Sequence, residues 1–139
     1  MVILDTNILS ALMRETAEEQ VVAWLDKQSR MSIWTSSVTV LEIRFGLQIL
    51  PAGKRRSALM RAFETVLAEK IGGRITSFDA VAAQHSADLM ALRQSRGRPV
   101  DLRDTMIAGM ALAYHATIAT RNTAHFRDLS VPVVNPWLS

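Results

Sequence analysis

The chain has 139 residues, 49% of them apolar and 21% charged, and it contains no cysteine. That length suits one domain, 1–139, with a conventional core, since single domains commonly run to about 100–150 residues, and the apolar share excludes a disordered chain. The missing cysteines exclude a disulfide framework and a thiolate metal site, and a net charge of +3 is too small to mark a polyanion binder by itself.

The opening MVILDTN reaches an acid at position 5 without a basic or long apolar stretch, so no signal peptide is expected there. No later run approaches the ~20 apolar residues of a membrane span, and a cytoplasmic location is expected. Val2-Ile3-Leu4 reads as a buried strand, and Asp5-Thr6-Asn7 are residue types that start helices, here over 8–13. A second helix is expected over 15–28, with Val21, Val22, Trp24 and Leu25 turned inward, then a strand over 31–35. Ser36 and Ser37 cap a helix over 38–50, which Pro51 and Gly53 separate from another over 55–70. A weak strand over 75–78 precedes a helix capped by Asp79 and reaching Ser95, and Arg96-Gly97-Arg98-Pro99 forms a basic loop. A helix begins near Asp101, a strand follows over 116–120, and a last strand over 131–134 leads into Asn135-Pro136-Trp137. Strands alternating with helices imply an α/β fold: a central, mostly parallel sheet flanked by helices.

Certain acids fall where a core pattern does not call for them. Asp5 stands at the carboxyl end of a buried strand, the edge at which open α/β sheets bind ligands; taken alone, it is more simply explained as a plain helix N-cap. On a helical wheel Glu42 lies near Val38, Phe45 and Ile49, apart from the polar stripe of Arg44 and Gln48, with Thr39 and Gly46 beside it. A carboxylate beside an apolar face is costly unless paired or metal-bound; the alternative is a packed stem with its head in water. Asp104 opens the all-round apolar stretch 106–113, expected to be a central buried helix. Asp101, three residues earlier, has the spacing of its cap, which puts Asp104 in the first turn, where the helix dipole favours a carboxylate. Thr120-Arg121-Asn122 ends the strand over 116–120, so it reaches the same sheet edge as Asp5 and Asp104. His85, His115 and His125 read as isolated side chains at the surface or core edge. Oxygen donors without cysteine or clustered histidine suit Mg²⁺ or Mn²⁺ rather than zinc. Such an ion lowers the pKa of a bound water and steadies a leaving oxygen, and phosphodiester hydrolysis is the natural reaction for that apparatus.

From end to end the chain resembles PIN-domain nucleases, above all VapC-like toxins of the FitB-like branch. The pieces are Leu4-Asp5-Thr6-Asn7, Val40-Leu41-Glu42-Ile43-Arg44-Phe45-Gly46, Asp104-Thr105-Met106-Ile107-Ala108, Thr120-Arg121-Asn122-Thr123-Ala124-His125-Phe126 and Val134-Asn135-Pro136-Trp137, in that order. The resemblance implies that Asp5, Glu42 and Asp104 are ligands of Mg²⁺ or Mn²⁺, and that Thr120 helps hold the bound water or the phosphate. Members often carry a further acid at the Asn122 or the His125 position; neither is acidic here, which puts a second metal in doubt. Asn122 is then an auxiliary group, and Arg121 either a phosphate contact or a solvated side chain. Also implied are a PIN fold, a homodimer, RNA cleavage leaving a 5′-phosphate, and a cognate antitoxin. The C-terminal segment of that antitoxin would occlude the acidic groove, and operator DNA would be bound only through it. Val21, Trp24, Leu25, Leu47 and Leu50 either serve that partner or belong to the core.

Two other classes compete. A phosphatase or phosphoacceptor would use Asp5 as nucleophile, but a haloacid-dehalogenase type wants an acid at position 7, which is Asn7, and a receiver domain wants a lysine where Asn135-Pro136 stands. A catalytically degenerate protein- or RNA-binding module would make the acids structural, yet one Tyr and four Phe are few for a single-strand stacking surface. Lys54-Arg55-Arg56 and Arg96-Gly97-Arg98 are candidate backbone contacts or plain solvated faces.

Overall fold

Five short runs, mostly of apolar and β-branched residues, form strands in the computed structural model, which describes Met1–Ser139: β1 (Val2–Leu4), β2 (Ile33–Ser36), β3 (Ile75–Thr76), β4 (Thr117–Ala119) and β5 (Val133–Val134). They pair in the order β3-β2-β1-β4-β5, every pair parallel. Most of the crossovers that parallel neighbours require are helical. The helices are α1 (Thr6–Met13), α2 (Glu19–Asp26), α3 (Ser37–Gln48), α4 (Lys54–Val66), α5 (Ala80–Ser95) and α6 (Leu102–Tyr114). The expected α/β architecture is present, and the sheet is parallel throughout.

Side chains alternate across a strand, so neighbouring residues of β1 serve opposite faces. Leu4 joins a core with Ile8, Leu9, Val21, Trp24, Leu25, Leu47 and Phe63, whereas Ile3 joins a second one with Ile107, Met110, Ile118 and Phe126. Both residues are fully buried, which is why this central strand is apolar without interruption. Val21, Trp24, Leu25 and Leu47 are thus core residues, and Leu50 is half-buried against the same cluster. No helix is long and apolar enough to cross a membrane.

Caps fall where the residue types ask for them: Ser36, Asp79 and Asp101 accept from the amides of Thr39 (3.1 Å), Ala82 (2.9 Å) and Asp104 (3.0 Å). Some boundaries differ from the sequence expectation. Helix α2 starts at Glu19 rather than 15, because Arg14 leaves α1 in an extended conformation and a turn closed by the Arg14–Glu18 ion pair intervenes. The expected helix over 55–70 stops at Val66 and widens into a π-helical turn, Leu67–Ile71, which Gly72 ends at φ 59°. β5 begins only after Pro132, which has no N–H for the ladder. The 3₁₀ turns Thr123–Phe126 and Pro136–Leu138 were not foreseen.

Of the apolar neighbours read around Glu42 on α3, Val38 is buried whereas Phe45 and Ile49 are not. That helix buries Thr39, Ile43 and Leu47, while Leu41, Phe45 and Ile49 are 62%, 60% and 67% exposed. A wheel shows two apolar stripes but not which one meets α1 and α4. Glu42 sits on the border between them, half-buried.

Helices α5 and α6 cross where Gly109 meets Ala82 and Ser86. A Cβ on Gly109 would stand 1.9 Å from Ser86 Oγ and 2.6 Å from the Ala82 carbonyl oxygen, a backbone atom that cannot rotate away. Gly109→Ala is therefore expected to cost about 1–3 kcal/mol, the usual range for over-packing. A chemical denaturation midpoint equal to that of the wild type would show instead that the two helices separate freely.

Candidate active site

The carboxyl ends of β1 and β4 lie side by side in mid-sheet, Leu4 paired with Ala119. The Asp5 amide donates to the Ala119 carbonyl (2.9 Å), so Asp5 and Thr120 emerge together. Asp5, only 4% exposed, accepts from the Thr6 amide at Oδ1 (2.8 Å) and from the Thr120 hydroxyl at Oδ2 (2.7 Å). It is thus a helix cap as well as a site residue. Asn7 ties the same corner: its Nδ2 donates to Thr120 Oγ1 (3.3 Å), and its Oδ1 accepts from the Arg121 amide (3.0 Å). Thr120 Oγ1 also accepts from the Asn122 amide (3.0 Å).

Glu42 reaches this corner from α3 and Asp104 from the first turn of α6. Glu42 Oε1 accepts from Thr6 Oγ1 (3.0 Å), and its Oε2 faces Arg103 Nη1 at 3.6 Å. Asp104 Oδ2 lies 2.6 Å from His125 Nδ1. Asp5, Glu42, Asp104, Arg121 and Asn122 all line one open cavity of about 350 Å³, with Arg14 and Trp137 at its wall. Thr120 lies beneath, fully buried and bonded to Asp5. The structure therefore brings together every site residue read from the sequence.

Burial pushes the Asp5 carboxyl above its ordinary range against the pull of the Thr120 hydrogen bond, and the neighbouring Asp104 charge adds to the rise. Glu42 is raised for the same first reason, with Asp5 and Asp104 contributing. Negative charge thus accumulates in a partly dehydrated corner. An all-oxygen donor set under that repulsion fits a hard divalent cation. As the side chains stand, no three acids or histidines are arranged to hold an ion. Glu42 and Asp104 would have to turn from Arg103 and His125, whereas Asp5 is fixed by its amide and hydroxyl donors.

Sequence reasoning missed several participants, and His125 needs correction: it is no isolated side chain but the partner of Asp104. Nothing local announces it, because 21 residues separate the two and a 3₁₀ turn brings them together. Thr6, Asn7 and Arg103 adjoin recognised acids and were within reach of a closer reading. Among the basic candidates, Arg98 lines a neighbouring hollow with Asp104 and His125 and pairs with Asp128 at 2.8 Å. Arg55 lines a groove between α1, α3 and α4.

A sequence profile of the PIN domain matches residues 2–131. The chain is 37% identical to VapC ribonuclease Y4jK of Sinorhizobium fredii, over 99% of this chain and 98% of that one. It is 35% identical to toxin FitB of Neisseria gonorrhoeae, over 99% of each. Among solved structures, FitAB bound to an IR36 DNA fragment superposes with a TM-score of 0.87 at 35% identity, covering 99% of this chain and 96% of that one.

Proposed function

The chain belongs to the PIN-domain family, and on that footing we propose that it is a Mg²⁺- or Mn²⁺-dependent endoribonuclease, the toxin of a toxin–antitoxin pair. The observation that carries this reading is the convergence of Asp5, Glu42 and Asp104 on one cavity at the carboxyl edge of the sheet. These are the residues that would hold the ion, which when bound supplies an activated water and neutralises charge on the phosphate. Thr120 and Thr6 fix the orientation of the Asp5 carboxylate, and Asn7 holds the Thr120–Asn122 strand end against it. Arg121 and Arg14 place positive charge on the rim, where an RNA backbone enters. Hydrolysis would leave a 5′-phosphate.

The remaining features suit a single-domain, cytoplasmic toxin with two protein partners. A groove of about 390 Å³ walled by Met13, Leu47, Leu50 and Leu59 shares Thr6, Ser10, Arg14 and Glu42 with the acid cavity. An antitoxin segment laid along its apolar walls would run directly onto the acids and occlude them, with DNA engaged only through that antitoxin. The exposed Leu41, Phe45 and Ile49 stripe supports a homodimer. One observation favours a second reading, a degenerate binding module: His125 stands at a position where family members often carry an acid, and it holds Asp104.

The test is incubation of purified, antitoxin-free chain with structured RNA and Mg²⁺ or Mn²⁺, beside an EDTA control. Cleavage is expected only with the ion. The ion is also expected to raise the melting temperature, since a ligand at one hundred times its Kd stabilises by about 2.7 kcal/mol. A folded protein that cleaves no RNA and melts identically with and without either ion would leave the binding module as the better account.

A further inference from the structure

Arg121 differs from the other arginines around the acids. Arg14 is paired with Glu18, Arg103 with Glu42 and Arg98 with Asp128. The Arg121 guanidinium has no acid partner and no hydrogen bond, although it shares a cavity with carboxylates. It lies instead over the ring of Trp137, its Cζ 4.8 Å from the ring centroid. That ring is fixed in advance: Trp137 Nε1 donates to Glu18, its amide donates to Asn135 Oδ1 (2.9 Å), and it packs against the core beside α2. The Arg121 backbone is fixed as well, through Asn7. The result is a planar cation held over an aromatic ring at the wall of the acid cavity, itself exposed to solvent.

We propose that Arg121, layered on Trp137, is the stacking platform for one unpaired nucleobase of the RNA chain beside the acid cluster. The proposal rests on the ribonuclease reading and narrows it. A simple phosphate contact needs charge alone, which a lysine supplies, whereas a guanidinium plane backed by an indole offers a flat face to a base. A base inside an RNA helix already has both faces covered by its neighbours. The platform therefore selects a looped or single-stranded nucleotide next to the bond that is cut. It also answers the shortage of aromatic residues in this chain, because one tryptophan and one arginine form the stack together.

The test is binding of a fluorescent RNA hairpin, with Mg²⁺ present, to the cleavage-blocked Asp5→Asn chain and to that chain carrying Arg121→Lys or Arg121→Ala. Both second changes are expected to weaken binding by about 5- to 150-fold, the usual effect of losing one stacked base. One abasic position, stepped through the hairpin loop, should cost the Asp5→Asn chain a similar factor and cost the Arg121→Lys form nothing more. Arg121 is exposed, so unchanged melting curves are expected for its variants, and the abasic series leaves the protein untouched altogether. If the wild type cleaves RNA but the Arg121→Lys form binds as tightly as its parent, the platform is overturned and the ribonuclease reading stands. If every abasic position costs parent and Arg121→Lys form alike, the platform falls in the same way. If the wild type cleaves no RNA and the Asp5→Asn chain binds none, both fall together.

Discussion

Asp5→Asn is expected to abolish ion-dependent RNA cleavage while leaving the fold at least as stable as before. Loss of an outer-shell partner of a metal ligand typically costs 10–100-fold, so loss of a ligand itself should cost more than about 100-fold in kcat/KM. The stability half of the prediction follows from the electrostatics. Asp5 is almost fully buried and its pKa is raised from 3.8, first by burial and further by Asp104, against the hydrogen bonds from Thr120 and Thr6. A raised carboxyl pKa means the folded chain holds that proton more tightly than the unfolded chain does. The contribution to stability is then most favourable below the ordinary value and declines as pH rises through the raised one, and Glu42 acts in the same direction. At neutral pH these charges oppose folding unless a cation offsets them. Asparagine removes one charge yet keeps an acceptor for the Thr6 amide, and it is itself a good N-cap. Melting curves in EDTA across pH 4–8, beside cleavage rates in Mn²⁺, check both halves. A variant that still cleaves would reduce Asp5 to a helix cap. A large fall in melting temperature would make its carboxylate structural.

How much of this was legible beforehand depends on how local each signal is. Asp5, Asp101 and Asp104 stand at a strand end and a helix start, so cap spacing and sheet polarity locate them without tertiary knowledge. Thr120 follows from the same polarity, applied to β4. Glu42 was found by an argument that was partly mistaken: of the apolar neighbours that single it out, Val38 is buried but Phe45 and Ile49 face solvent, and it joins the site because the Thr39, Ile43 and Leu47 stripe is the buried one. The choice between two apolar stripes is made by α1 and α4, which no window along α3 contains. The contacts of His125 and Trp137 were illegible for a related reason. Each lies on a 3₁₀ turn whose position depends on where β4 and β5 end, and their partners Asp104 and Arg121 are distant in sequence or in element. Arg93 was hidden more completely, since a charged residue near a helix end reads as solvated, yet this one is 3% exposed.

Asp128→Ala is expected to destabilise the protein by about 3–5 kcal/mol, the cost of stranding a buried charge. Arg93 Nε and Nη2 donate to Asp128 Oδ2 and Oδ1, each at 2.9 Å, and the two side chains are only 4% and 9% exposed. Arg98 adds a further bond to Asp128 at 2.8 Å. The Arg93 hydrogen bond, followed by the charges of Arg93 and Arg98, holds the Asp128 carboxyl below its usual range. A lowered carboxyl pKa contributes stability that is present above the unfolded value and lost as pH falls through the folded one. The deficit of Asp128→Ala should therefore be full at neutral pH and shrink on acidification. A double change, Arg93→Met with Asp128→Leu, should recover much of the loss, because a buried ion pair replaced by apolar groups is often near neutral. Denaturation curves of Asp128→Ala and of the double variant decide the point. A single-variant cost below about 1 kcal/mol would place the pair with ordinary surface bridges. The same arginine also reaches the site: its Nη2 donates to the His125 carbonyl (2.8 Å) and its Nη1 to Thr105 Oγ1 (3.3 Å). Those contacts flank Asp104 on both sides, one through its neighbour in α6 and one through the turn that carries its histidine partner. Cleavage by Asp128→Ala, measured at a temperature where it remains folded, should thus fall further than its folded fraction explains. Activity that tracks the folded fraction alone would confine the Arg93–Asp128 pair to holding α5, α6 and the 3₁₀ turn together.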